Sequence, residues 1–459
     1  MAGIGFELKR AIHETSYAGT IKGYLFAAVI SSGPWLLSIL TMALLGVISI
    51  GFLPFHDRDL IAGTATHSFA LSLVTTGVIQ MFTTRYLADK LYMEQPEAIA
   101  PAYVAVLVIS SVAQFLFIML LLSRTALPLS YQLPAAAFYI AICGIWLSMV
   151  FLSAARDYVT IVGCFVLGYA ISFAGAYALG VRFGASGYML GFSAGQVLLL
   201  ALLLSRVLAE FDTGESFNLT VFSYVKRYPA LVSIGLLYNL AFWIDKVVFW
   251  FSAEGISVNS FMNVFPAYDS TFFLASLTIV PALAIFIVNI ETDFYNHYKS
   301  FYARIMNKHE WDEIRLAKEG MMRSVRSSYI TLFKLQTAIV LLGIALGPAL
   351  LTALGTPQSH WYIFRVAILA IGVQVFLLNA VMILLYLDLR GSVLIISLLF
   401  LVLNFSFTMV TVRLGYAYYG YGFLYASVIC LIVAMFLMRN RFEHLEYLTF
   451  TRQPLDPEK

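Results

Sequence analysis

The chain is poor in charged residues. Only 12% of its residues are Asp, Glu, Lys or Arg, whereas 61% are hydrophobic and the mean hydropathy is +0.86. Soluble domains carry roughly a quarter charged residues, so this composition excludes an ordinary soluble protein. It predicts a polytopic membrane protein embedded in a lipid bilayer, and the net charge of +3 gives no sign of a nucleic-acid partner.

Cysteine and clustered histidine are also scarce. The three cysteines, Cys143, Cys164 and Cys430, fall within apolar segments and show no CxxC or metal-ligand spacing. We expect them to be small core residues without a disulfide. The seven histidines are scattered, with no pair at ligand spacing, so no metal site is expected.

Motifs for chemistry are missing as well. No GxxxxGK[ST] stretch occurs, and Gly420-Tyr421-Gly422 lacks the strand, spacing and third glycine of a dinucleotide site. No serine or cysteine has a convincing base partner, and no acids are paired as in glycosidases. We therefore expect no enzyme activity, no catalytic residues and no cofactor.

Long apolar runs are what the chain has in abundance. Runs of about 20 residues can cross a bilayer as helices. They predict an all-α membrane protein of about twelve spans, which lie near 23–52, 60–84, 101–122, 133–153, 158–180, 186–208, 229–252, 265–290, 328–352, 362–386, 392–412 and 419–438.

Loop charge predicts the orientation. Lys and Arg gather in the loops that lie on the N-terminal side of the membrane, including seven of them between Lys299 and Arg326, whereas the opposite loops hold about one each. Cytoplasmic loops are the ones enriched in Lys and Arg. An even number of spans with both termini cytoplasmic satisfies this rule.

The polar stretch after span six divides the chain into two blocks of six spans, as in many transporters with a site between the halves. The predicted organisation is an interfacial helix on the cytoplasmic side, a first lobe, a linker, a second lobe that contains an amphipathic cytoplasmic segment, and a tail. Their bounds are 1–22, 23–208, 209–227, 228–438 with the segment 291–326, and 439–459. The amphipathic segment either lies in the headgroup layer or docks a soluble partner.

Span seven, Tyr228 to Phe251, contains Asp245 and Lys246 inside an apolar run. Ionisable groups at membrane depth are costly and mark functional sites. Neighbouring helical residues point about 100° apart, so we expect the two charges to have separate partners. Alternatively they only hold the bundle together, or Lys246 extends to the interface.

We expect part of this span to line a polar cavity. Tyr238, Phe242 and Asp245 recur at i, i+4 and i+7 on one helical face. The full set of candidate substrate-binding residues is Asp245, Tyr238, Phe242, Lys246, Asp269 and Gln80. Each polar residue taken singly also fits a hydrogen bond between helices.

Helix breakers interrupt two spans. Ser31-Ser32-Gly33-Pro34-Trp35 lies in span one and Pro281 in span eight. A proline frees a carbonyl and kinks a helix. The kinks serve either as hinges for alternating access or as static curvature.

Two N-terminal motifs resemble the opening of the PelG family, the inner-membrane transporters of Pel exopolysaccharide. They are Gly3-Ile4-Gly5-Phe6-Glu7-Leu8 and Ile30-Ser31-Ser32-Gly33-Pro34-Trp35. The resemblance implies two six-helix lobes around a central cavity, within the multidrug/oligosaccharidyl-lipid/polysaccharide exporter superfamily. It also implies export of a cationic amino-sugar polymer for the biofilm matrix, with a cytoplasmic glycosyltransferase and membrane synthase subunits as partners, one of which senses cyclic di-GMP.

We therefore expect a polysaccharide exporter of the bacterial inner membrane, in which Asp245→Asn abolishes secretion without lowering the amount of protein in the membrane. The alternatives are an ion-coupled exporter of a lipid-linked oligosaccharide or small molecule, and a non-transporting scaffold for a synthase.

Overall fold

The computed structural model of the chain describes residues 46, 49–153, 158–211, 217–259 and 262–451. The predicted interfacial helix, most of the first span with its Gly33-Pro34 break, both N-terminal motifs and residues 452–459 of the tail lie outside these residues.

The first half of the described chain forms four long helices. They are α1 (Phe55–Tyr92), α2 (Ile99–Leu122), α3 (Leu129–Leu152) and α4 (Tyr158–Glu210). Gly184, with φ of 62°, interrupts α4, in a region of backbone space that glycine enters without a steric penalty. The two parts of α4 pack back on each other, since the Ser172 hydroxyl accepts a hydrogen bond from Gln196 at 3.0 Å. Spans five and six are therefore joined by a sharp turn at Gly184 without a loop between them.

A short helix and a long second half follow. Helix α5 (Ser223–Arg227) lies in the linker, and α6 (Pro229–Trp250) is span seven. An antiparallel hairpin of β1 (Ile256–Asn259) and β2 (Met262–Val264) comes next, with Ile256 opposite Val264. The remaining helices are α7 (Pro266–Ser276), α8 (Ile279–Asn289), α9 (Tyr295–Met306), α10 (Trp311–Ala353), α11 (His360–Tyr386), α12 (Arg390–Leu414), α13 (Tyr421–Glu443) and α14 (Leu445–Thr451).

Nine helices of the described residues are long and apolar enough to cross a membrane. One of the nine, 160–210, covers two predicted spans. Helix α1 is not among them, although it has 38 residues, because Ser, Thr, His67 and Gln80 lower its hydropathy. The exact count of twelve is not established by these helices.

Span eight is broken as its proline predicts. Helix α7 ends at Ser276 and α8 begins at Ile279. Pro281 has no N–H to donate to the carbonyl of Leu277 four residues earlier, so the helix breaks just before it.

The segment 291–326 contributes to two helices. They are α9 and the first turns of α10, which continues without interruption into span nine. Phe294 and Phe301 are buried, and the Phe294 ring lies 5.5 Å from that of Tyr386 on α11. These two aromatic side chains therefore pack on the protein itself.

We call α1–α4 the N-lobe and α6–α14 the C-lobe, and α1 packs along α6. A methyl group at Gly235 of α6 would meet the carbonyl oxygen of Gly77 of α1 at 2.0 Å. Only small residues permit such a close approach of two helices in a membrane. The lobes therefore touch along this pair of helices. We call the end of the pair near the β1–β2 hairpin the hairpin end, and the end near the linker 209–227 the linker end.

Candidate functional site

Helix α6 turns one face toward the interior of the C-lobe. The ring of Tyr238 lies 6.3 Å from Phe400 of α12, and that of Phe242 lies 5.8 Å from Phe423 of α13. The third residue of this face, Asp245, accepts a hydrogen bond from the Tyr268 hydroxyl of α7 at 2.7 Å. Tyr238, Phe242 and Asp245 thus share a face, and in this structure the face contacts helices of the same lobe.

Asp245 and Lys246 form an ion pair. The ammonium nitrogen of Lys246 lies 3.2 Å from Oδ2 and 3.3 Å from Oδ1 of Asp245. The expectation of wholly separate partners was wrong, because the flexible four-carbon side chain of lysine folds back across the angle between neighbouring residues. Asp245 is completely buried and Lys246 is 7% exposed.

Four aromatic rings surround the Lys246 ammonium. Their centroids lie 5.0 to 5.6 Å from the nitrogen and belong to Phe242, Trp243, Phe272 and Phe423. A cation over an aromatic face is attracted by the ring quadrupole within about 6 Å. We call Asp245 and these four aromatic residues the ammonium cage; it is built from α6, α7 and α13.

Asp269 connects the cage region to the N-lobe. One of its carboxylate oxygens accepts hydrogen bonds from the indole of Trp250 at 2.9 Å and the backbone N–H of Phe265 at 3.2 Å. The other oxygen is buried without a hydrogen-bond partner. The indole of Trp250 stacks on the His67 ring of α1, with centroids 4.3 Å apart, so this contact joins the lobes at the hairpin end.

A second stripe of α6 faces α1. Asn239 lies against Gly77, and Trp250 lies against His67. Trp243 and Lys246 occupy the positions between them at helical spacing. The indole N–H of Trp243 is buried and has no hydrogen-bond partner, so this stripe contains an unsatisfied donor.

The remaining candidate, Gln80, lies outside the cage. It is half-buried on α1 and donates to the Thr76 hydroxyl of its own helix at 3.0 Å. Tyr238 is likewise distinct from the cage, since it accepts a hydrogen bond from Gln374 of α11 at 3.1 Å. The structure brings together Phe242, Asp245 and Lys246, with Asp269 adjacent through Trp250, and places Gln80 and Tyr238 apart.

Basic and aromatic residues join the lobes at the linker end. The guanidinium groups of Arg85, Arg227 and Arg390 lie 4.8 to 5.4 Å from the centroid of the Tyr228 ring. The Tyr224 hydroxyl donates to Asp89 of α1 at 3.0 Å. Burial and the neighbouring carboxylate of Asp89 raise the pKa of Tyr224 to about 12, so the phenol remains a donor at neutral pH.

Two small pockets lie away from the cage, each with a volume of about 10 Å³, room for about one water molecule. One is lined by Asn289, Tyr329 and Asn379, the other by Thr64, His67 and Met262. Within the described ranges no three His, Cys, Asp or Glu side chains are grouped to hold a metal ion.

Sequence reasoning identified the two charges but missed most of the cage. Phe272 and Phe423 come from two other helices, and aromatic residues make up 15% of the sequence. Helical periodicity shows which residues share a face of one helix, and it does not show which other helix covers that face.

Solved structures share this fold. An outward-facing multidrug resistance MATE family transporter of the MOP superfamily is 16% identical, with 92% of this chain and 96% of that chain covered and a TM-score of 0.67. A MOP superfamily transporter from Pyrococcus furiosus Vc1 is 13% identical, with 97% of each chain covered and a TM-score of 0.66. An inward-facing MATE family transporter is 14% identical, with 92% of this chain and 99% of that chain covered and a TM-score of 0.63.

A family model matches almost the entire sequence. It is that of PelG, described as "Putative exopolysaccharide Exporter (EPS-E)", and it matches residues 1–450. No curated protein sequence matches the chain.

Proposed function

We propose a cargo and a route for this chain, which belongs to the PelG family of exopolysaccharide exporters. Its family and fold are those of a multi-pass membrane transporter and not of an enzyme. We propose that the cargo is a cationic, Pel-like amino-sugar polymer of the biofilm matrix, which moves from the cytoplasm to the periplasm.

The proposed route runs between α1 and the stripe of α6 that faces it. Asn239, Trp243 and Trp250 give this stripe an amide and two indoles within an apolar span, whereas the ammonium group of Lys246 is held in the cage. Aromatic faces bind the apolar faces of rings, and hydrogen bonds from buried donors orient a ligand. The observation that carries the proposal is the unpartnered indole N–H of Trp243 on this stripe, since a buried donor without a partner is costly unless a ligand or water satisfies it.

Charge supports a polymer that bears ammonium groups. The second carboxylate oxygen of Asp269 has no hydrogen-bond partner and lies next to the contact between Trp250 and His67. Asp245 is already paired with Lys246, so we assign the direct contact with an ammonium group of the cargo to Asp269. In this proposal Asp245, Phe242 and Tyr238 lie on the face of α6 that contacts other helices of the C-lobe and hold this helix against them, and Gln80 lies on α1.

The orientation is proposed from charge. Arg85, Arg227 and Arg390, assigned to one side of the membrane from the sequence, meet at the ring of Tyr228. We propose that this end faces the cytoplasm of a bacterium, with both termini there and the protein in the inner membrane. A cytoplasmic glycosyltransferase and membrane synthase subunits would deliver the polymer at this end.

The route is tested by replacing Trp243 in a host that lacks its own copy of this exporter. Trp243→Ala should lower secreted hexosamine polymer several-fold while the amount of protein in the membrane stays normal. Phe436→Ala is the matched control, because Phe436 is 68% exposed on α13 and its loss should leave secretion unchanged. The secreted polymer should bind a cation exchanger and lose this binding after N-acetylation.

Unchanged secretion by a well-expressed Trp243→Ala variant would refute the route. A neutral or anionic polymer would refute the proposed cargo and leave the assignment to the exporter family intact.

A further inference from the structure

The cage around Lys246 is built like a receptor for a cation. A carboxylate supplies the negative charge and four aromatic rings, on three different helices, supply their negative faces. This combination is used in proteins to bind organic ammonium ions. Here the cation inside the receptor belongs to the chain itself.

The geometry differs from that of a simple ion pair. Tyr268 approaches Oδ2 of Asp245 to 2.7 Å, whereas the ammonium group lies 3.2 and 3.3 Å from the two oxygens. Its other polar neighbour, the carbonyl oxygen of Phe242, is 3.5 Å away. Charge-assisted N–H···O bonds are usually about 2.7 to 2.9 Å long, so the nitrogen is held by charge and by the rings more than by short hydrogen bonds.

The side chain also comes from the boundary between the lobes. Lys246 lies on the stripe of α6 that faces α1, and its ammonium group reaches back to Phe272 and Phe423 inside the C-lobe.

We propose that Lys246 is a built-in cation that occupies an ammonium receptor of the C-lobe. While it is in place, this site takes no ion from solution, and an exporter with this site has no need of a dissolved cation there. Removal of the lysine side chain would leave a vacant site of the same chemistry, which would accept small primary alkylammonium ions such as ethylammonium and propylammonium. The inference does not depend on the identity of the cargo.

The experiment is a thermal-unfolding titration of the purified full chain in detergent. Lys246→Ala should lower the Tm, because it leaves the buried carboxylate of Asp245 without its ion pair. Propylammonium chloride should raise the Tm of this variant in a saturable manner and recover at least half of the loss, since a ligand that binds only the folded state stabilises it. Sodium chloride at equal ionic strength should not raise the Tm of this variant in a saturable manner.

Two controls isolate the cage. The wild-type chain should show no saturable response, because its own ammonium group fills the site. The double variant Asp245→Asn, Lys246→Ala should also show none, because the carboxylate is gone. A Lys246→Ala variant that ignores propylammonium, or a wild type that responds equally, would overturn the proposal.

If the Lys246→Ala variant folds too poorly to be purified, the proposal is tested in cells instead. Cells that express it with propylamine in the medium should then recover the amount of protein in the membrane. An amount that stays low with the amine present would count against the receptor.

Discussion

At the scale of single residues, the buried charges of α6 are the feature that decides how a mutation must be interpreted. Asp245 is completely buried and its partners are Lys246 and Tyr268. Removing one member of a buried ion pair leaves an uncompensated charge and costs about 3 to 5 kcal/mol, whereas removing both is often nearly neutral. A loss of secretion in Asp245→Asn therefore reports stability as well as transport.

The pair predicts a specific pattern of stability. Asp245→Asn should lower the Tm and the amount of protein in the membrane, and the double variant Asp245→Asn, Lys246→Met should recover most of both. The measurement is thermal unfolding of each purified variant beside quantitative detection in membranes. An Asp245→Asn variant as stable as the wild type would contradict the buried pair.

The sequence alone could identify these two residues because charge within an apolar span is rare. It could not show that they pair. Neighbouring helical positions point about 100° apart, which predicted separate partners. The lysine side chain is long enough to fold back to its neighbour all the same. The rings of Phe272 and Phe423 were beyond sequence reasoning, since nothing local distinguishes them from other aromatic residues.

At the scale of helices, the close contact of α1 with α6 is the element on which the arrangement of the lobes depends. Gly77 and Gly235 bring the two backbones together. A larger residue at either position would force the helices apart or strain the packing, which typically costs about 1 to 3 kcal/mol.

Gly235→Ala tests this contact. A Cβ there would meet the Gly77 carbonyl oxygen at 2.0 Å, so we expect a lower Tm and reduced secretion. Gly163→Ala is the matched control, because a Cβ at this exposed helical glycine meets nothing within 4 Å. Both changes gain up to about 1 kcal/mol of helix propensity, so the difference in Tm between them isolates the packing, and equal Tm values would contradict the close approach.

Hydrophobic runs predicted the helices better than their ends. Span ten, expected near 362–386, is α11 (His360–Tyr386). Span nine, expected to begin near residue 328, is the second part of α10, which already starts at Trp311. Helix α10 is about 65 Å long at 1.5 Å per residue, about twice the hydrocarbon core of about 30 Å. The apolar pattern marks the part that matches the membrane, and the amphipathic part belongs to the same helix.

At the scale of the whole molecule, the lobes touch at both ends of α1 and α6. His67 stacks on Trp250 at the hairpin end, and Asp89 accepts a hydrogen bond from Tyr224 at the linker end. A polymer that passes between these helices needs these contacts to open, together with the close approach of Gly77 and Gly235 between them. We propose that export proceeds by alternate opening of the hairpin-end and linker-end contacts.

A reversible crosslink across the hairpin end tests this central claim most directly. In a chain whose Cys143, Cys164 and Cys430 are replaced by serine, His67→Cys and Trp250→Cys are joined by a short, reducible thiol crosslinker in cells that secrete the polymer. Secretion by the double variant should stop on crosslinking and return on reduction, while the crosslinker should leave the secretion of each single-cysteine variant at its untreated level. Continued secretion by the fully crosslinked chain would contradict the opening of the lobes between α1 and α6.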